Sequence, residues 1–167
     1  VRLSGRATDS DGYQTNVAPG PLDGDELGGG SQQSGRLSAV WKVSEHVENY
    51  TILTWDDMEM DGRAHVLEAV NPVILARYQP GISAALRDVN EIESDLGQTS
   101  EVDVWGIFNT TTADLGGDLT LKSIIGYRDL EAYEVVDLDA TAIPQLLSSD
   151  QTTTLEHGSY ELQLLGQ

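Results

Sequence analysis

The sequence predicts an all-β fold: an antiparallel up-and-down meander of about six strands, forming a partial, open transmembrane β-barrel with one short helix in a long loop. Three observations predict it. Apolar and polar residues alternate with period two in the best-marked segments, connections alternate between short and long, and acidic residues gather in the long connections. Strands of about ten residues with one apolar and one wet face are what a tilted β-strand needs to cross a bilayer.

The clearest element is Asp118–Arg128. Leu119, Leu121, Ile125 and Tyr127 share one face, Asp118, Thr120, Lys122 and Gly126 the other, and Ser123 and Ile124 break the pattern. The alternation returns in Gly158–Gly166, where Tyr160, Leu162 and Leu164 oppose Glu161 and Gln163. Four further strands are read at roughly Val1–Thr8, Arg36–Val43, Val47–Asp57 and Val102–Thr111. On this reading Lys122, Glu161 and Gln163 face a lumen, while Leu121, Leu162 and Leu164 face lipid.

The short connections are Ser44–His46 and about 112–117, and the long ones about 9–35, 58–101 and 129–157. Short periplasmic turns opposite longer extracellular loops mark outer-membrane barrels, whereas a soluble sandwich has more evenly spaced turns. Of the 28 acidic residues, 23 fall between Asp9 and Glu26, Asp56 and Asp103, or Asp129 and Glu156. Charge on a lipid face costs about 2–4 kcal/mol at midplane for Lys or Arg, so its exclusion from one strand face is expected.

The first loop is rich in Gly and Ser, as flexible solvent-facing segments are. In the second, Ile82, Leu86, Val89 and Ile92 recur at helical spacing and predict a short amphipathic helix within Gly81–Ser94. Trp41, Trp55, Trp105, Tyr127 and Tyr160 all fall in strands, as girdle aromatics do at the two membrane interfaces. Trp41 lies near a short turn and Tyr127 at a long-loop junction.

Composition excludes several classes. Nine basic residues against 28 acidic give a net charge of −19, with no basic stripe for nucleic acid or anionic headgroups. There is no cysteine for a disulfide or thiolate site. No apolar run reaches the length of a transmembrane helix. The chain begins and ends inside strand-like sequence, which reads as a piece of a larger protein.

Chemistry motifs are weak. Asp9-Ser-Asp-Gly12 opens like a calcium loop, but its fifth and twelfth positions are Tyr13 and Gly20. His46, His65 and His157 are far apart and read as solvated loop or turn residues, and Asp56-Asp57 as a loop edge. Asn49-Tyr-Thr51 and Asn109-Thr-Thr111 match the glycosylation signal, which has no meaning in strands of a bacterial barrel. No nucleophile elbow, phosphate loop or zinc helix appears. No catalytic residue, cofactor site or metal site is therefore assigned, and the chain is expected not to be an enzyme.

A resemblance joins several segments: Arg6 with Asp11-Gly-Tyr-Gln-Thr-Asn16, Gly35-Arg-Leu-Ser-Ala-Val-Trp-Lys-Val-Ser-Glu45, Val104-Trp-Gly-Ile-Phe-Asn-Thr-Thr-Thr112, Leu119-Thr-Leu-Lys-Ser-Ile-Ile-Gly-Tyr-Arg128 and Tyr160-Glu-Leu-Gln-Leu164. In this order they resemble the barrel of TonB-dependent outer-membrane receptors. The resemblance implies a 22-stranded barrel of which this chain is a part. It also implies a plug domain and an inner-membrane energy-coupling complex, both outside the chain, with outer-membrane lipid around the wall. Its cargo would be a scarce nutrient such as a ferric siderophore. The alternative of a different class is a soluble, acidic, secreted β-domain that binds glycans or cations.

Overall fold

The computed structural model describes residues 1–167 except 63–64, 68, 70, 72, 74–76, 78–87, 145–146 and 167. Nine strands follow in chain order: β1 (Arg2–Ser10), β2 (Gln14–Asn16), β3 (Glu26–Leu27), β4 (Gly30–Lys42), β5 (Val47–Met60), β6 (Glu91–Ile92), β7 (Thr99–Gly116), β8 (Leu119–Asp137) and β9 (Ser148–Gly166). Six of them form one sheet in the order β1-β4-β5-β7-β8-β9, every neighbouring pair antiparallel. This is the predicted meander, open at β1 and β9 and not closed into a barrel.

The connections are tighter than the sequence suggested. β8 and β9 each run 19 residues and β7 runs 18. Most of the segments 129–157 and 99–101, and the ends of 9–35 and 58–101, therefore belong to strands. The second short turn is Gly117-Asp118 rather than the whole of 112–117. Its φ values of 61° and 62° are the positive pair that a two-residue type I′ hairpin demands. The ladder shifts register between Asp114 and Gly116, which leaves Leu115 as a bulge.

Only the C-terminal part of the predicted helix is described, and that part is not helical. Residues 81–87 lie outside the described residues, but Val89 and Asn90 form a turn and Glu91–Ile92 a strand. The described helical residues are Val73 and Arg77. Ile92 is 1% exposed because it enters a strand pairing, so its spacing from Val89 expresses cap packing and not a helical stripe.

Three long connections meet in a small cap. Here β2 pairs with β3 antiparallel and with β6 parallel. The fully buried side chains, Ile92, Asn16, Asp137 and Ser94, lie in this cap or at the end of β8 that meets it. Among the described residues no second layer of strands or helices covers the large sheet, each of whose strands packs against its ladder neighbours.

Across the sheet, aromatic rings lie opposite glycines. Gly35 pairs with Trp55, Gly126 with Phe108 and Gly158 with Tyr127. A Cβ on Gly126 would stand 2.9 Å from the Ser159 hydroxyl and 3.4 Å from the Phe108 ring. The ring thus occupies space the glycine leaves free, an established way to stabilise a glycine in a strand.

Candidate functional site

The register sorts the side chains onto two faces, because residues paired across a ladder point the same way. One face carries Leu3 on β1, Trp41 and Leu37 on β4, and Leu53 and Trp55 on β5. It continues with Trp105 and Ile107 on β7, Leu121, Ile125 and Tyr127 on β8, and Tyr160, Leu162 and Leu164 on β9. All five aromatics singled out in the sequence share this face. Trp105 and Tyr127 have ring centroids 5.3 Å apart. The band is exposed: Leu3 is 78% accessible, Tyr160 65% and Leu162 56%.

The band ends sharply. Moving away from the short turns, the next same-face residue after Ala7 is Asp9, after Trp55 Asp57, after Trp105 Asp103, after Tyr127 Asp129 and after Gly158 Glu156. Between this frontier and the turns the face carries no charged residue. From Val47 to Trp55, or from Leu119 to Tyr127, is eight steps, about 27 Å along a strand. At the usual barrel tilt of roughly 40° that spans about 20 Å of depth, against an apolar belt of about 25 Å on membrane barrels.

Carboxylates crowd beyond the frontier. Asp57 and Asp103 are direct ladder partners, with Glu131 next in the same row. Burial pushes the Asp57 carboxyl above the usual carboxylate range, and its hydrogen bond with Asp103 and the charge of Asp103 push it further.

The opposite face gathers the cations. All six basic residues of the sheet, Arg2, Arg6, Arg36, Lys42, Lys122 and Arg128, lie on it. Lys122 pairs with Gln163, whose amide donates to Glu161 at 2.7 Å, so the three polar residues read as lumen-facing do share one side. Leu121, Leu162 and Leu164 share the other.

One polar cluster interrupts the apolar band. The Asn49 amide donates to Asn109 Oδ1 (3.2 Å) and Thr111 Oγ1 (2.8 Å), and the Asn109 amide donates to Asn49 Oδ1 (3.1 Å) and Thr51 Oγ1 (2.7 Å). The Trp41 indole N–H donates to Asn49 Oδ1 at 2.7 Å. Two Asn-x-Thr triplets on paired antiparallel strands build this closed square, so the apparent glycosylation signals have a structural use in the ladder. It sits beside Trp41 near the first short turn, where polar groups meet their hydrogen-bonding needs among themselves.

The cap is held by side chains the sequence did not mark. The Asn16 amide donates to the Ser94 carbonyl (2.9 Å), while its Oδ1 accepts from the backbone N–H of Ser94 and of Ala18, both at 3.0 Å. Gln14 donates to the Val89 carbonyl at 3.0 Å. Asp137 accepts from the N–H of Asp139 and Ala140. Burial raises its carboxyl, while hydrogen bonds from Ser94 and from these amides oppose the rise. Beside this network lies a hollow of about 290 Å³ bordered by Asp25, Glu26, Asp61 and Gln98, at the small end of ligand sites.

The weaker sequence candidates are scattered. Asp9 and Ser10 pair within β1, so Asp9–Gly12 is a strand end rather than a wrapped loop. His46 is an exposed turn residue whose carbonyl accepts from Asp114 at 2.8 Å. The His65 ring stands 3.0 Å from the Asp137 carbonyl. His157 belongs to β9 opposite Arg128, not to a loop. Asp56 and Asp57, adjacent in β5, point to opposite faces.

Comparison with known protein families, with curated proteins and with solved structures finds no match for this chain.

Proposed function

We propose that this chain is a six-strand arc of an outer-membrane β-barrel, the wall of a TonB-dependent type of receptor that imports a scarce nutrient. One observation supports the reading above others. The ladder register gathers a charge-free, aromatic-edged apolar band on one face, covered by no element among the described residues, and puts every sheet cation on the other. A large exposed apolar patch on a monomer marks an interaction surface, and a band of this height suits hydrocarbon. The cation-bearing face then lines the lumen, the two short turns face the periplasm, and the cap stands outside the cell. The open edges β1 and β9 would continue into further strands, since a barrel in lipid has no unpaired edge. The plug and an energy-coupling complex would be partners beyond this chain, and a small nutrient complex such as a ferric siderophore the cargo. The wall performs no covalent chemistry.

Membrane fractionation of the native protein tests this. The chain should sediment with outer membranes, resist carbonate extraction and dissolve only in detergent. Recovery in the detergent-free soluble fraction would replace the reading with a secreted acidic β-domain, which the acidic frontier and cap would then serve.

A further inference from the structure

We infer that Arg2, Arg6 and Arg36 form a binding site for a small multivalent oxyanion, a ligand bearing phosphate or clustered carboxylates. β1 and β4 bring the three together. Ser4 pairs directly with Arg36, and Arg2 and Arg6 flank Ser4 two residues away on the same face. Side chains placed directly and diagonally across a ladder lie within reach of one another when they are this long. Two hollows open among them. One, of about 290 Å³, is bordered by Arg2, Arg36, Ser38 and Tyr50, and the other, of about 260 Å³, by Arg6, Arg36, Ser34, Thr54 and Asp56. Ser4 and Arg36 border both, so a ligand with two anionic ends can lie across Arg36 with one end in each.

The chemistry of the patch favours oxyanions. All three arginines are exposed, and none of their guanidinium groups makes a hydrogen bond or an ion pair among the described residues. Three guanidinium groups on directly and diagonally neighbouring ladder positions repel one another and have no side-chain partner among the described residues, an arrangement that an anion relieves. Arginine presents a planar fork that matches carboxylate and phosphate oxygens in pairs. Ser4, Ser34, Ser38, Thr54 and the Tyr50 phenol add neutral donors around the rim. Asp56 is the single carboxylate bordering either hollow, and it disfavours a ligand that fills only the Arg6 side. The site stands in a chain of net charge −19, so it is a local positive island reached past acidic surroundings. That contrast selects compact, multiply charged anions, whose gain at the three forks exceeds their repulsion from the rest. Naming this ligand as imported cargo rests on the barrel reading of the preceding section, whereas the site itself does not.

The test is calorimetric titration of the full-length protein carrying this chain, in neutral detergent, with inorganic pyrophosphate, with citrate and with uncharged trehalose. Saturable binding of pyrophosphate or citrate is expected, with none of trehalose, and the stronger of the two assigns phosphate or carboxylate as the ligand group. Arg36→Gln should weaken binding at least about tenfold, since it removes a charge-assisted pair shared by both hollows. Arg2→Gln and Arg6→Gln should each weaken it less, and Lys122→Gln, on the same face but strands away, should leave it unchanged. Absence of saturable binding by both anions overturns the site, and so does a loss in Lys122→Gln equal to that in Arg36→Gln. Arg36→Lys keeps the charge without the fork and should fall between parent and Arg36→Gln. A protein that needs detergent yet binds neither anion removes the site alone. One that is soluble without detergent and still binds removes the barrel reading alone.

Discussion

Asn16 carries more of the cap than any other side chain. Its exposure is 1%, and it satisfies three backbone groups, two of them on Ser94 and one on Ala18. Asn16→Ala would strand these groups, each of which costs about 1–3 kcal/mol if left unpaired. Hydrogen exchange of residues 14–18 and 91–96 should accelerate at least tenfold, with the ladder of β7 unaffected. Asp137 makes a second residue-level case. Its carboxyl titrates above the unfolded value, so the folded cap holds its proton more tightly than the unfolded chain does. Linkage then makes cap stability fall as pH rises from the ordinary carboxylate range through the raised value, and level off above it. Asp137→Asn keeps an acceptor for the amides of Asp139 and Ala140 and should abolish that slope, read as proteolysis of the cap between mildly acid and neutral pH. Neither residue was legible in the sequence. A buried Asn, Ser or Asp looks like a loop residue until its partners, 78 positions away in the case of Ser94, are known.

At the level of strands, the face assignment was the most legible feature. Leu53 and Thr54 are adjacent on β5 and point to opposite sides, so they make a paired test. Leu53→Arg should destabilise insertion into phospholipid vesicles by about 2–4 kcal/mol, and Thr54→Arg by less than about 1 kcal/mol. Equal costs in a urea titration would remove the distinction between the faces. The hairpin of β7 and β8 offers another. Gly117→Val forces a β-branched residue to φ of 61° and should cost about 1–2 kcal/mol, whereas replacing Gly117-Asp118 by Asn-Gly should be neutral or better. Strand ends were the illegible part. Past the acidic frontier the contrast inverts, with Asp129 and Glu131 on the face that is apolar below and Leu130 and Ala132 on the other. It breaks at Tyr133–Asp137, so the ladder to β9 is set by the strands already aligned below it. Of the helix expected within Gly81–Ser94 only residues 88–94 are described, and Glu91–Ile92 are strand there because Ile92 is buried in the pairing with β2.

Among the described residues the large sheet is one layer thick, with an apolar side that no element covers and two long free edges. All nine residues of β1 are exposed, as is nearly all of β9. Exposed unpaired edges of this length recruit other strands. Residues 1–167 expressed alone in water should associate at micromolar concentration, seen as light scattering that rises with concentration and falls on addition of detergent. A monodisperse monomer without detergent would contradict this. The meander was legible because its contacts join consecutive strands, and local contacts leave local patterns; the clasp between the first two long connections was not, since its pairing has no sequence period.

That clasp also bears on order in time. The widest connection closed by a ladder of the wall joins Met60 to Ser100, 40 residues on, whereas β2 meets β6 across the 76 residues from Thr15 to Glu91, after the β4–β5 hairpin between them has been laid down. Closing a longer circuit costs more chain entropy, and the return here is a two-residue parallel pairing. The clasp is therefore expected to form after the wall and to open before it, so amides of residues 14–16 should exchange faster than those at the middle of β7.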